Sequence, residues 1–305
     1  MGIIAIEQFR RNLMHCRGKR GGGVQAGIFR AGSVRAVGFG MGALAMVLAF
    51  AGPAAACDAL TAGPRGIVTS VVDGDTVQLG DGTQVRLIGT QAPKLPLGRD
   101  GFETWPLADE AKAALEALAL GKPVQLRYGG ERIDRHGRAL AHLYVTDGTA
   151  LSGEGLWAQG EMIAAGLARV YSFPDNRSCL AELMASETRA RLARLGIWSD
   201  PYYSVRRADR PSELLARVGH YELVEGRVLA AERSGSRVFL NFGRLWKEDF
   251  TITIENRALR LFTEAGIDPL RLETALIRVR GWVDDRDGPR IEVTHPEQIE
   301  VLASP

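Results

Sequence analysis

The sequence predicts an α+β, mainly β protein: a small closed barrel with packed helices, followed by a second small five-stranded barrel. Three observations predict it. Apolar residues recur with strand-like spacing through 66–90, at Ile67, Val68, Val71, Val72, Val77, Leu79, Val85 and Leu87. Helical patterns then gather after the strands instead of alternating with them, as in α+β proteins. From about Gly219 the order is strand, strand, strand, helix, strand, strand. That order matches an oligonucleotide/oligosaccharide-binding (OB-like) barrel.

Within the first half, Asp81-Gly82 separates two strands, and both positions tolerate positive φ, so the pattern predicts a two-residue hairpin turn. A Gly- and Pro-rich loop covers 93–101. An amphipathic helix is expected over 107–120, stopped by Gly121-Lys122-Pro123. Strands are expected over 124–128 and 139–145, flanking a loop at 129–138. Helices follow over 155–165 and 180–195, the second ended by Gly196. The polar, proline-bearing stretch 200–216 reads as a linker or a short connecting helix. In the second module strands are expected over 223–230, 237–242, 250–254, 276–283 and 290–293, with a helix over 258–265. The predicted organisation is a leader over 1–56, a short linker over 57–65, a first domain over 66–199, a linker over 200–217 and a second domain over 218–303.

Charge is distributed unevenly. The 305-residue chain carries a formal charge of +2, yet residues 1–56 hold seven Lys/Arg and one acid, leaving 31 basic and 35 acidic residues beyond them. A strong polyanion-binding field therefore does not follow from net charge. Arg30 and Arg35 precede an uncharged stretch ending in Pro53-Ala54-Ala55-Ala56-Cys57, which fits export to the periplasm or exterior after cleavage near Ala56. An uncleaved membrane anchor or lipid attachment at Cys57 are the alternative readings. Beyond that leader two cysteines remain, Cys57 and Cys179. They form an even pair that an oxidising compartment allows to join, or else two unpaired thiols.

Three motifs stand in order: Val72-Asp73-Gly74-Asp75-Thr76-Val77, Val85-Arg86-Leu87-Ile88-Gly89-Thr90-Gln91-Ala92-Pro93-Lys94, and Asp134-Arg135-His136-Gly137-Arg138. With Leu167-Ala168-Arg169-Val170-Tyr171 and Gly196-Ile197-Trp198, they make residues 66–199 resemble the thermonuclease (staphylococcal nuclease-like) family. The resemblance implies an OB-like five-stranded barrel and endonuclease-type hydrolysis of single-stranded DNA or RNA with Ca2+ as cofactor. It places Asp75 and Thr76 in a calcium loop and makes Arg86 and Arg138 the arginines that grip the phosphate and stabilise the transition state. Tyr171 and Phe173 become candidates for stacking on a nucleotide base. His136, beside Arg138, reads either as a further substrate contact or as an exposed turn histidine. Where the family carries a second calcium-binding aspartate, this chain has Gln91. At the family's proposed general-base glutamate it has Lys94.

The chemistry explains why these departures matter. Phosphodiester hydrolysis needs an activated water, charge neutralisation on the phosphate and a proton for the leaving oxygen. Arginine stays charged and its planar fork matches phosphate, while calcium accepts oxygen ligands in flexible geometry. Gln91 still offers a carbonyl oxygen, but losing a positioned base costs roughly 10²–10⁴ in rate. Lys94 reads either as a damaged base position or as an added phosphate contact. Two functions follow as expectations: a nuclease with an altered, weakened site, or a non-catalytic protein of the cell envelope that binds nucleic acid or another phosphate ligand. In the second barrel Arg237, Phe239, Phe242, Arg244, Trp246 and Lys247 interleave aromatics with cations, a pattern that serves single-stranded nucleic acid or ordinary packing.

Overall fold

The computed structural model describes Cys57, 60–146, 155–245 and 247–304; the expected leader and Trp246 lie outside these residues. The first sheet runs β3 (Gln84–Leu87), β2 (Thr76–Leu79), β1 (Thr61–Asp73), β5 (Pro123–Tyr128) and β6 (Ala139–Val145), with β7 (Leu156–Trp157) at its edge. Parallel pairing of β3 with β6 returns the sheet on itself. A separate pair joins β4 (Gly89–Gln91) to β8 (Arg169–Tyr171).

Helix α1 (Ala108–Ala119) fills the gap between the third and fourth barrel strands. It buries Ala108, Ala111, Leu115, Leu118 and Ala119, the three-and-four spacing of an apolar stripe. Asp109 and Glu110 lie in its first turn, where the helix dipole favours negative charge. Helices α2 (Ala158–Ala164) and α3 (Leu180–Leu192) add Met162, Ile163, Leu180 and Leu183 to the same core, beside Val68, Val77, Val85, Leu126 and Leu143. The Cys57–Cys179 disulfide ties the start of the described chain to the residue before α3.

The second sheet runs β11 (Ala230–Ser234), β12 (Arg237–Asn241), β13 (Thr251–Glu255), β15 (Pro289–Val293), β14 (Leu276–Asp285) and β10 (Tyr221–Arg227). Helix α5 (Asn256–Glu264) lies between its third and fourth strands, and β13 pairs with β15 in parallel. Taking β10 and β11 as one strand broken at Val228-Leu229, the spatial order is the same as in the first barrel. The chain thus repeats one barrel topology around two separate cores.

Several elements differ from the sequence expectation. Strand β1 starts at Thr61 because Thr61–Ile67 pairs with Pro123–Tyr128, so most of the predicted linker 57–65 is strand. The 79–84 connection spans Gly80–Thr83 instead of two residues, closed by Asp81 Oδ1, which accepts from Thr83 N at 2.9 Å. The stretch 200–217, expected as a linker or short connecting helix, holds the short helix α4 (Pro211–Leu215) and, beyond that expectation, a 3-10 turn at Pro201–Tyr203 and strand β9 (Arg206–Arg207) added parallel to β10. The helix expected over 155–165 begins as strand β7. A further strand, β16 (Ile299–Ala303), pairs with β14. Among the described residues no helix is long and apolar enough to cross a membrane, which says nothing about strands.

Candidate active site

The β1–β2 turn carries both acids of the first motif. Gly74 sits at its apex because a Cβ there would meet the Ala92 Cβ at 2.6 Å and the Ala111 Cβ at 2.8 Å. Glycine therefore lets the turn press against α1 and the Ala92-Pro93 corner. This close approach buries Asp75 completely and leaves Asp73 at 4% exposure.

Every oxygen of the Asp75 carboxylate is engaged. Oδ2 accepts from Ala92 N at 2.7 Å, and Oδ1 faces Arg86 Nη1 at 3.1 Å and Thr76 Oγ1 at 3.3 Å. Lys94 Nζ donates to both oxygens at 2.7 Å and reaches Asp73 Oδ2 at 3.2 Å. Asp73 Oδ1 in turn accepts from Asp75 N at 3.1 Å. Burial opposes ionisation of Asp75, but Arg86 and Lys94 outweigh it and hold the carboxyl well below its ordinary range. Burial, and then the neighbouring Asp75 charge, push Asp73 up. The result is a buried cluster of two carboxylates and two cations.

Arg86 is held from all sides. Its Nη1 donates to the carbonyls of Asp75 (3.2 Å) and Leu87 (3.0 Å), and its Nη2 to that of Thr90 (2.6 Å). Gln91 is turned away from the carboxylates: its Oε1 accepts from Arg169 Nε at 2.9 Å and Nη2 at 2.7 Å. Arg169 is buried among the rings of Tyr221 (5.0 Å), Tyr203 (5.8 Å) and Trp105 (5.9 Å). Burial lowers its pKa, against the pull of Glu222.

This donor set does not fit calcium. A calcium ion takes 6–8 oxygen ligands, whereas here an ammonium already lies among the oxygens of Asp73 and Asp75 and the Gln91 carbonyl serves Arg169. Among the described residues no group of three or more His, Cys, Asp or Glu side chains is arranged to hold a metal.

The remaining predicted residues make their hydrogen bonds and ring contacts outside this cluster. Arg138 is bound within its own turn, Nε donating to Asp134 Oδ2 at 2.8 Å and Nη2 lying 2.7 Å from the same oxygen. His136 is exposed beside it, accepting from Arg135 Nε at 3.1 Å. Tyr171 meets Phe173 and Tyr221 edge-on, both at 4.8 Å, and its hydroxyl accepts from Trp282 Nε1 at 3.1 Å. Two of those three aromatics belong to the second barrel, so Tyr171 is packed against that barrel. Phe173 remains 38% exposed.

Asp73 and Arg169 also take part, and neither has a role in the motif reading. Asp73 had a legible signal, standing two residues before Asp75 in one turn. Arg169 had none, because its partners Gln91 and Tyr221 are far away in the chain.

The model of the family described as Staphylococcal nuclease homologue matches residues 84–200. Endonuclease YncB of Bacillus subtilis (strain 168) is 28% identical over 141 residues, covering 45% of this chain and 62% of that protein. SPbeta prophage-derived endonuclease YokF of the same organism is 28% identical over 137 residues, covering 43% of each. Protein ParB of Escherichia coli is 29% identical over 142 residues, covering 45% of this chain and 74% of that protein. The chain thus spans less than two thirds of the length of the two endonucleases. Barrel order, motif positions and these matches together make residues 84–200 a domain of the staphylococcal nuclease-like family.

Proposed function

We propose that this protein engages single-stranded nucleic acid through its nuclease-like barrel. In this reading the calcium and general-base positions have become an internal ion-pair centre, so calcium-dependent hydrolysis is not its working activity. The observation that carries the proposal is the seat of Lys94, with Nζ 2.7 Å from both Asp75 oxygens and 3.2 Å from Asp73. A cation in that place neutralises the carboxylates a metal needs and cannot serve as a ready base.

Support for a nucleic-acid ligand comes from the relatives named endonucleases and from the arginines at positions 86 and 138. Arg138, whose side chain is 31% exposed, and the neighbouring His136 are the groups a phosphate can reach from solvent, with Lys94 at the cluster's edge. Phe173 is the stacking candidate with an accessible ring. The Cys57–Cys179 disulfide supports export, since such bonds persist in oxidising compartments.

The test incubates the full chain with labelled single-stranded DNA and RNA, in calcium and then in chelator. Binding in both conditions, weakened by Arg138→Ala and without cleavage, is the expected result. Calcium-dependent cleavage abolished by Arg138→Ala would establish the hydrolytic reading instead. Neither binding nor cleavage would leave a scaffold role.

A further inference from the structure

Residues 94–105 form a loop before α1 whose neck is closed by Trp105 N, which donates to the Lys94 carbonyl at 3.0 Å. Compact loops with closed necks frequently carry function. Here the neck joins two features. The Lys94 side chain runs inward to Asp73 and Asp75, while Trp105 stands among rings drawn from three parts of the chain. Phe102 comes from the same loop, Tyr202 from the 3-10 turn at Pro201–Tyr203, and His220 from the residue before β10 of the second barrel. Trp105 is near-parallel to Phe102 (24°, centroids 6.3 Å apart) and to His220 (23°, 6.5 Å), and tilted against Tyr202 (47°, 5.9 Å). All four rings are half-buried, and none belongs to either barrel core. They remain partly open to solvent and fill neither barrel interior.

Arginines accompany these rings. Arg99 lies over Phe102 at 3.7 Å, Arg217 over Tyr202 at 4.4 Å, and the buried Arg169 is 5.9 Å from Trp105. Two of the three are already matched: Arg217 Nε lies 2.6 Å from Glu222 Oε1, and Arg169 Nη2 donates to Gln91 Oε1 at 2.7 Å. Arg99 differs. It is exposed and donates to the carbonyls of Leu95 (2.7 Å) and Pro96 (3.0 Å) instead of to a carboxylate. Its charge is therefore available beside the ring it covers.

These features select the ligand. Aromatic faces interleaved with cations match single-stranded nucleic acid, whose bases stack on the rings while its phosphates meet a guanidinium. A neutral apolar ligand gains nothing from Arg99, and a small cation is repelled by it. A duplex does not fit, because its bases are already stacked on one another. Continuity gives the direction: Lys94 at the cluster's edge and Trp105 meet at one neck, so a strand held at Lys94 has these rings next to it.

Resting on the nucleic-acid reading above, we propose that Phe102, Trp105, Tyr202 and His220 form a base-stacking platform that makes the protein select single strands, with Arg99 on a phosphate of the same strand. The test measures fluorescence anisotropy of the full chain with labelled oligothymidylate and with an abasic strand of the same length, which keeps the backbone charge and lacks the bases. Trp105→Ala is expected to weaken oligothymidylate binding about tenfold, the scale of one lost base stack, and to leave binding of the abasic strand unchanged. Trp105→Phe, which keeps a ring, should restore most of the loss. His220→Ala should repeat the pattern of Trp105→Ala and carries the same test if Trp105→Ala melts below the assay temperature. Arg99→Ala should weaken both strands and reduce the salt dependence, as the loss of a phosphate contact does. Ring substitutions that weaken neither strand, or both equally, overturn the platform and leave the nucleic-acid reading standing, as does tighter binding of a duplex than of the single strand. If the native chain binds neither strand, the nucleic-acid reading falls and the platform with it.

Discussion

Both carboxylate oxygens of Asp75 lie 2.7 Å from one ammonium, that of Lys94. Removing one partner of a fully buried ion pair costs roughly 3–5 kcal/mol. The Lys94 side chain is 19% exposed and Arg86 stays in place, so Lys94→Met should cost less, of the order of 2 kcal/mol. Lys94→Glu puts a third carboxylate beside Asp73 and Asp75. Its melting temperature should fall below that of Lys94→Met in chelator and recover in millimolar calcium, since a ligand bound only by the folded state stabilises it. The native chain should show no such calcium response. Thermal melts of the three proteins, with and without calcium, check this; a calcium-stabilised native chain would contradict it.

Arg280 of the second barrel faces Glu187 of α3, Nη2 to Oε2 at 2.8 Å, with both side chains 1% exposed. Glu187 Oε1 also accepts from Val170 N at 2.8 Å, next to Arg169. Arg280→Met therefore strands a buried carboxylate at the junction of the barrels, for about 3–5 kcal/mol. Calorimetry should show the variant melting at lower temperature and over a broader or split transition than the native chain. Restoring neutrality with Arg280→Met and Glu187→Gln together should recover most of the loss.

Two buried histidines predict an acid-side loss of stability. His142 and His295 are both lowered to about 4, in each case chiefly by burial. At His295 Glu297 pulls upward while Arg177 and Arg280 push down. The ring nitrogens contact Ser172 Oγ at 2.7 Å and Thr294 Oγ1 at 3.0 Å. Above pH 6.5 each ring is neutral in both states and has no effect. As pH falls from 6.5 to about 4 the unfolded chain takes up protons that the folded chain refuses, so stability drops, by up to about 3 kcal/mol per histidine, then levels. Asp75, held low, loses its contribution only at more acidic pH. Melts from pH 7 to 4 should flatten in His142→Gln and His295→Gln relative to the native chain.

The Cys57–Cys179 bond closes a loop with a sequence separation of 122. Reduction, or Cys179→Ser, should destabilise the fold by roughly 2–5 kcal/mol, mainly by freeing the unfolded chain. Melting with and without reductant measures it. Peptide mapping without reductant should recover the two cysteines joined.

Local patterns made much of this molecule legible. The alternating apolar residues of 66–90 placed β1 to β3, and the 3–4 spacing in 108–119 placed α1 within a residue. The ordered motifs carried the resemblance of residues 66–199 to the staphylococcal nuclease-like family, whose model matches residues 84–200. Short-range chemistry fails where a partner is distant or a neighbouring strand supplies the order. Thr61–Arg65 carries no strand pattern of its own and becomes strand by pairing with Gln125–Tyr128, while Arg206–Arg207 does so beside Val224 and Glu225.

The same division runs through the site. Sequence by itself carries the resemblance on which Asp75, Arg86 and Arg138 are read at the family's motif positions and Gln91 and Lys94 as departures. Only the tertiary structure decided where the departing side chains go. Desolvation drives that choice: a buried carboxylate must find its countercharge within a few ångströms, so Lys94 turns inward to Asp73 and Asp75. The buried guanidinium of Arg169 likewise draws the Gln91 carbonyl to itself, across 78 residues of chain.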